Sequence, residues 1–130
     1  MIGIDHIAII VSKEENLNFY KKLGFKEIRR ITRAYDFVVF MKNGDVILEI
    51  FVDPNHPDRL TKPEFLGIRH IALTVDSLDD VVKKFDCEPV KKDWFGRRFT
   101  FVKDMDNQPI EINEICLKSE EDIVNGLESN

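Results

Sequence analysis

The chain states the same pattern twice, and that repeat limits what it can become. DHIAIIV at Asp5–Val11 returns as RHIALTV at Arg69–Val75, with His6 and His70 at the matching position. Later in each half a Phe-rich segment leads through a turn to a Glu inside an apolar run. The first half reads FVVFMKNGDVILEIF and carries Glu49; the second reads FTFVKDMDNQPIEI and carries Glu111. The histidines lie 64 residues apart and the glutamates 62, so the halves run nearly in register. A duplicated unit that puts one His and one Glu on apolar strands, twice, predicts a single site built from two imidazoles and two carboxylates.

The segments between these landmarks have the periodicities of one repeated order. Ile2–Val11 is rich in β-branched residues and reads as a strand. Ser12 with Glu15 reads as a capping box opening a helix, and Leu17/Tyr20 and Phe19/Leu23 share its apolar face. Gly24 should end that helix. Phe25–Thr32, Tyr35–Lys42 and Asp45–Val52 read as strands, the last two joined by a hairpin at Asn43-Gly44. The second half repeats this order. It has strand Ile68–Val75, helix Leu78–Phe85 capped by Ser77 with Asp80, and strands Glu88–Lys92, Arg97–Lys103 and Gln108–Ile115. The last two strands are joined by a turn at Asp104–Asn107.

The expected fold class is therefore α+β: two tandem β-α-β-β-β modules. We expect a single domain over 1–130, with module one at 1–52 and a linker bearing three prolines at 53–67. Module two follows at 68–116, and a C-terminal tail helix at 117–130 opens on Ser119 and the acidic residues after it.

At 130 residues the chain is one domain's worth. Its 43% hydrophobic and 33% charged residues predict a soluble globular protein. A net charge of −5 argues against nucleic acid or a membrane surface as partner. No apolar run approaches the roughly 20 residues a bilayer span needs. The N-terminus enters a strand-like pattern with no signal peptide, and Cys87 and Cys116 lack paired spacing. A cytoplasmic protein with reduced thiols is expected.

The chemistry follows from strand alternation. His6 shares a face with Ile4, Ala8 and Ile10, and His70 with Ile68, Ala72 and Thr74. Glu49 shares its face with Ile47 and Phe51, while Glu111 lies between Ile110 and Ile112 and shares its face with Asn113. A carboxylate in an apolar run loses hydration, so it should be paired, protonated or metal-bound. Taken singly, a strand His or Glu is more often an ordinary polar residue. Finding both types at equivalent positions twice makes metal binding the better reading. The mixed nitrogen and oxygen set suits nickel, zinc, cobalt, manganese or iron. Four protein ligands in an octahedral site leave two positions open for substrate.

With those residues in place, the chain resembles the vicinal oxygen chelate superfamily of glyoxalases, bleomycin resistance proteins and dioxygenases. The resemblance runs from about Ile2 to Glu114 and is carried by DHIAIIV, NFYKKLGFKEI, ILEIF, GIRHIALTV and FVKDMDNQPIEINE. It is nearest to small bacterial proteins similar to glyoxalase I, or lactoylglutathione lyase. It implies β-α-β-β-β modules forming a curled eight-stranded mixed sheet or cup, and a homodimer. The cup forms within one chain in some relatives and across two in others.

The resemblance maps His6, Glu49, His70 and Glu111 onto the family's metal ligands, with Glu111 also the catalytic base. The implied reaction converts the hemithioacetal of a 2-oxoaldehyde and a thiol, glutathione or another, to a 2-hydroxyacyl thioester through an enediolate. Two alternatives share the fold: a non-catalytic binder of antibiotic-type small molecules, and an epimerase similar to that for methylmalonyl-CoA. Methylmalonyl-CoA epimerases usually carry Gln where this chain has Glu49. Fosfomycin-type proteins and extradiol dioxygenases use three ligands. Arg33, Arg59, Arg69, Arg97 and Arg98 are candidate grips for a substrate carboxylate. Tyr35, Trp94, Phe95 and Phe99 are candidate pocket walls.

Overall fold

The structure, a computed structural model, describes residues 1–115. The expected tail helix lies outside the described residues, as does Cys116. The described chain follows the expected order twice. The first pass is β1 (Ile7–Val11), a 3-10 turn (Glu14–Asn16), α1 (Leu17–Lys22), β2 (Lys26–Thr32), β3 (Phe37–Asn43) and β4 (Val46–Val52). The second is β5 (Ile71–Val75), α2 (Leu78–Lys84), β6 (Lys91–Lys92), β7 (Arg98–Lys103) and β8 (Pro109–Glu114).

The eight strands form two four-stranded mixed sheets, ordered β1-β4-β3-β2 and β5-β8-β7-β6. In each, the first strand of the module runs parallel to the last, and the hairpins are antiparallel. A parallel pair needs a crossover, and the helix after each first strand supplies part of it. The chain divides into two compact units. One is Met1–Thr61 together with the turn Asp104–Asn107; the other holds the remaining described residues.

In the first unit, strict alternation along β4 sorts the side chains. Leu48, Ile50 and Val52 are buried, while Ile47, Glu49 and Phe51 are half-buried. The buried set belongs to a core that includes Val11, Leu17, Tyr20, Phe25, Val39 and Met41. Alpha helix α1 ends as its sequence requires. Gly24 has φ +95°, its amide donates to the Lys21 carbonyl, and the Phe25 amide donates to the Tyr20 carbonyl. That is a Schellman ending, which only a left-handed residue completes.

Two turns of the first unit differ from expectation. No capping box forms, because the Ser12 amide and hydroxyl both donate to the Asp106 carboxylate, at 2.9 and 2.6 Å. The hairpin turn is Gly44-Asp45, since Asn43 still pairs with Val46. Its freed side chain donates to the Leu23 carbonyl at 3.0 Å, closing the end of α1.

The turn Asp104–Asn107 is held in the first unit by a buried polar network. Fully buried Asn16 donates to Asp106 and accepts from the Met105 amide, both at 2.9 Å. The Tyr20 hydroxyl donates to Asp104 at 2.6 Å. Asn107 closes the turn at φ 66°, a conformation Asn tolerates.

The second unit buries Ile71, Leu78, Val81, Val102, Ile110 and Ile112. Ser77 caps α2 as expected, accepting from the Asp80 amide. Glu114 adds a second anchor by accepting from the Leu78 amide and from Arg98. Strand β6 is only Lys91–Lys92, shorter than the expected Glu88–Lys92; Glu88 meets β7 by its amide donating to the Phe101 carbonyl and its carbonyl accepting from the Thr100 hydroxyl.

Candidate metal centre

Both histidines sit just before a strand rather than within it. Beta strand β1 begins at Ile7 and β5 at Ile71, so His6 and His70 each lie one residue outside the ladder. The parallel registers begin at Ile7 opposite Leu48 and at Ile71 opposite Ile110. Each imidazole is thus free to turn toward the glutamate of its own module.

In the first unit His6 Nε2 faces Glu49 Oε2 at 3.6 Å. The other ring nitrogen, Nδ1, is bonded to Asp5 Oδ2 at 2.7 Å. That bond with Asp5 raises the His6 pKa above the ordinary histidine value; desolvation opposes it and the charge of Glu49 supports it. A carboxylate on the far nitrogen is how a metal-ligating histidine is commonly oriented. Here it leaves Nε2 as the nitrogen presented to Glu49.

In the second unit His70 Nε2 faces Glu111 Oε2 at 3.8 Å. The ring stands edge-on to Phe101, with centroids 5.1 Å apart. Its buried Nδ1 has no hydrogen-bond partner. The Asn113 amide donates to Glu111 Oε2 at 3.2 Å. Glu49 and Glu111 have matching neighbours. Ala8 and Phe40 lie opposite Glu49, and Ala72 and Phe101 lie opposite Glu111.

These contacts suit a divalent cation. The nitrogen–oxygen separations of 3.6 and 3.8 Å exceed a good hydrogen bond. Two ligands about 2.1 Å from one ion stand roughly 3.0–3.4 Å apart, so each pair needs only a small inward shift to share a metal. The unpartnered His70 nitrogen is Nδ1, on the far side of the ring from Glu111. Imidazole with carboxylate is a donor set for borderline divalent ions. The structure thus joins His6 to Glu49 and His70 to Glu111. Among the described residues it gathers no group of three or more His, Cys, Asp or Glu side chains placed to hold a metal.

Of the other candidates, Arg33, Arg69, Arg97 and Arg98 are held in ion pairs. Arg33 grips Asp36 through two 2.6 Å bonds and lies between the rings of Tyr35 and Phe51. Arg69 pairs with Glu64, Arg97 with Asp93, and Arg98 with Glu114 and Asp79. Trp94 is exposed, and Phe99 packs edge-on against Phe101. His56 faces Asp53 at 3.4 Å. Burial pushes the Cys87 thiol up, away from a reactive thiolate. Asp5 and Asn113, the residues that back His6 and Glu111, were not among the expected site residues. Each adjoins its partner closely in sequence, but the pattern carries no sign of a side-chain bond.

Among the described residues no helix is long and apolar enough to cross a membrane. YwkD of Bacillus subtilis (strain 168), itself uncharacterized, is 42% identical, covering 86% of this chain and 96% of that protein. YaeR of Escherichia coli (strain K12), also uncharacterized, is 37% identical, covering 85% and 95%. The crystal structure of a glyoxalase family protein from Enterococcus faecalis superposes with TM-score 0.79 at 36% identity, covering 86% of this chain and 97% of that one.

Two further structures share the fold at lower identity. The fosfomycin resistance protein FosX from Listeria monocytogenes, complexed with Mn(II) and sulfate, gives TM-score 0.66 at 19% identity, covering 90% and 96%. A lactoylglutathione lyase from Agrobacterium tumefaciens gives 0.60 at 16%, covering 86% and 92%. A family model described as Glyoxalase/Bleomycin resistance protein/Dioxygenase superfamily matches residues 3–112. The chain belongs to that superfamily.

Proposed function

We propose that His6, Glu49, His70 and Glu111 are the ligands of one divalent metal ion, and that the protein is a lyase or isomerase similar to glyoxalase I. The observation that carries this reading is the matched pair of contacts, His6–Glu49 and His70–Glu111, in two modules of one chain. The relatives of this fold support it: one is a lactoylglutathione lyase and another was crystallised with Mn(II). The metal is nickel, zinc, cobalt, manganese or iron, and the cosubstrate is glutathione or another thiol. The substrate is a small carbonyl compound taken as its hemithioacetal. The protein works as a cytoplasmic homodimer, with no nucleic acid or membrane partner.

When bound, the metal would polarise the substrate carbonyl and stabilise the negative charge that develops on its oxygen. The chain's own residues do the rest. Asp5 holds the His6 ring so that Nε2 is presented. Glu111 takes the proton from the hemithioacetal carbon and returns it to the former carbonyl carbon, while the hydroxyl proton of the first carbon passes to the oxygen of the second; this requires the Glu111 carboxylate to be free at that moment. Glu49 remains a ligand. Phe40 and Phe101, each opposite a glutamate, give the carboxylates apolar walls that limit competing water.

The test is turnover. Nickel-loaded protein should convert the hemithioacetal of methylglyoxal and glutathione to the thioester. Stripping the metal with a chelator should abolish activity, and re-adding it should restore activity. Epimerisation of a 2-acyl thioester with no hemithioacetal turnover would contradict the lyase reading.

A further inference from the structure

The loop between β2 and β3 and the loop between β6 and β7 are a further repeat. In each, the first amide donates to the last carbonyl, Arg33 to Asp36 at 2.9 Å and Asp93 to Arg97 at 2.8 Å. Each loop also pairs those two side chains and sets its Arg on an aromatic ring, Tyr35 at 4.7 Å and Phe95 at 5.9 Å. The order of charge is reversed, because Arg stands first in one loop and last in the other. Of the two, Arg33 also lies over a ring of its module's last strand, Phe51 at 5.2 Å. Phe51 follows Glu49 by two residues and shares its face of β4, about 7 Å along the strand.

Arg33 is held in place with donors to spare. The Asp36 side chain, 4% exposed, accepts from Nε and Nη2 at 2.6 Å each, and the two rings flank the guanidinium. A guanidinium has five N–H donors, and this grip uses one edge of the fork. The end-on edge, Nη1 with the second Nη2 hydrogen, has no partner among the described residues. The side chain is 37% exposed, so a solute can reach it. The Arg33 pKa is raised chiefly by the Asp36 bond, with the charge of Glu49 a smaller contribution. By contrast, Arg30 and Arg98 each meet two carboxylates.

The geometry points to Arg33 as a specificity residue that grips a carboxylate of the substrate through its end-on edge. The inference rests on the functional reading above, which makes Glu49 part of the site, and deepens it by naming a charge the substrate carries. A planar fork matches a carboxylate with two parallel bonds, which an ammonium cannot do. Asp36 and the two rings already immobilise the side chain, so binding costs little further ordering. The matching position of the second module holds Asp93, so the grip belongs to one end of the substrate only.

Isothermal titration calorimetry on chelator-treated protein tests this without a metal. The probes are S-methylglutathione and its dimethyl ester, in which both carboxylates are capped. Wild type should bind the acid about tenfold more tightly than the ester, the scale of a charged hydrogen bond on a partly exposed side chain. Arg33→Gln/Asp36→Asn removes the pair together, leaving no buried carboxylate unpaired and the net charge unchanged, so it should bind both probes equally. Arg33→Lys can still pair with Asp36 but has no second edge, and should lose most of the preference; thermal melts check that both variants fold. In turnover, the double variant should raise KM for the glutathione hemithioacetal about tenfold with kcat little changed. Wild type that binds the two probes equally or binds neither, or folded variants that keep the preference, would overturn the inference. Acid-selective binding with no hemithioacetal turnover would sink the lyase reading and leave the Arg33 grip standing.

Discussion

Changing Glu111 to Gln is expected to lower kcat for the hemithioacetal by about 10²- to 10⁴-fold, the usual contribution of a positioned general base. The size of the effect comes from chemistry rather than folding. Gln keeps the shape and one carbonyl oxygen, but it cannot accept a proton at neutral pH. Glu111 is half-buried at the surface of β8, while the core side of that strand is carried by Ile110 and Ile112. The variant should therefore melt close to wild type.

Glu49→Gln should behave differently. Its main cost should appear in metal affinity, because Glu49 is assigned a ligand role alone. Steady-state kinetics at saturating nickel separates the two. Equal kcat losses in both variants would contradict the assignment of the base role to Glu111 alone.

The second large effect concerns stability. Asn16→Ala should destabilise the protein by about 2–3 kcal/mol, since it removes a fully buried side chain's bonds to two part-buried groups at once. The Met105 amide loses its acceptor, and an Asp106 oxygen loses a donor. At this chain length that corresponds to a thermal midpoint lower by about 10 °C.

The network also has a pH signature. Burial tends to raise the Asp106 pKa, but the bonds from Ser12 and Asn16 and the charge of Lys13 outweigh it, so the net shift is downward. A carboxylate with a lowered folded value stabilises fully above the ordinary Asp value near 3.9 and loses that contribution as pH falls through the folded value. Urea midpoints at pH 7 and pH 3 check this. Wild type should lose more stability over that interval than Asp106→Asn does.

Much of this molecule was legible because the relevant signals are local. Gly24 and Ser77 announce helix ends through positions that only a few residue types fill well. The alternation of Ile47, Glu49 and Phe51 with Leu48, Ile50 and Val52 announces both a strand and the face its glutamate takes. The repeat then links each His to a Glu, and the structure brings each linked pair within 4 Å.

What sequence missed is settled by partners far along the chain. Ser12 abandons the capping box for Asp106, a residue 94 positions away. Asn43 shifts the hairpin by one residue and spends its amide on Leu23, 20 positions back. The first strand shortens to Ile7 because its parallel ladder with β4 starts there, a fact that propensity does not encode. Asp5 stands within the mostly apolar run Ile2–Val11 with nothing in the pattern to mark its role. In the structure it orients His6.

The central assignment is that the duplicated His and Glu serve one ion, not two local contacts. Metal content of protein purified after nickel loading, determined by inductively coupled plasma mass spectrometry, decides it. Wild type should carry one divalent ion per chain, and His6→Ala and His70→Ala should each fall to near zero. Full retention of the ion when either imidazole is removed would contradict the account.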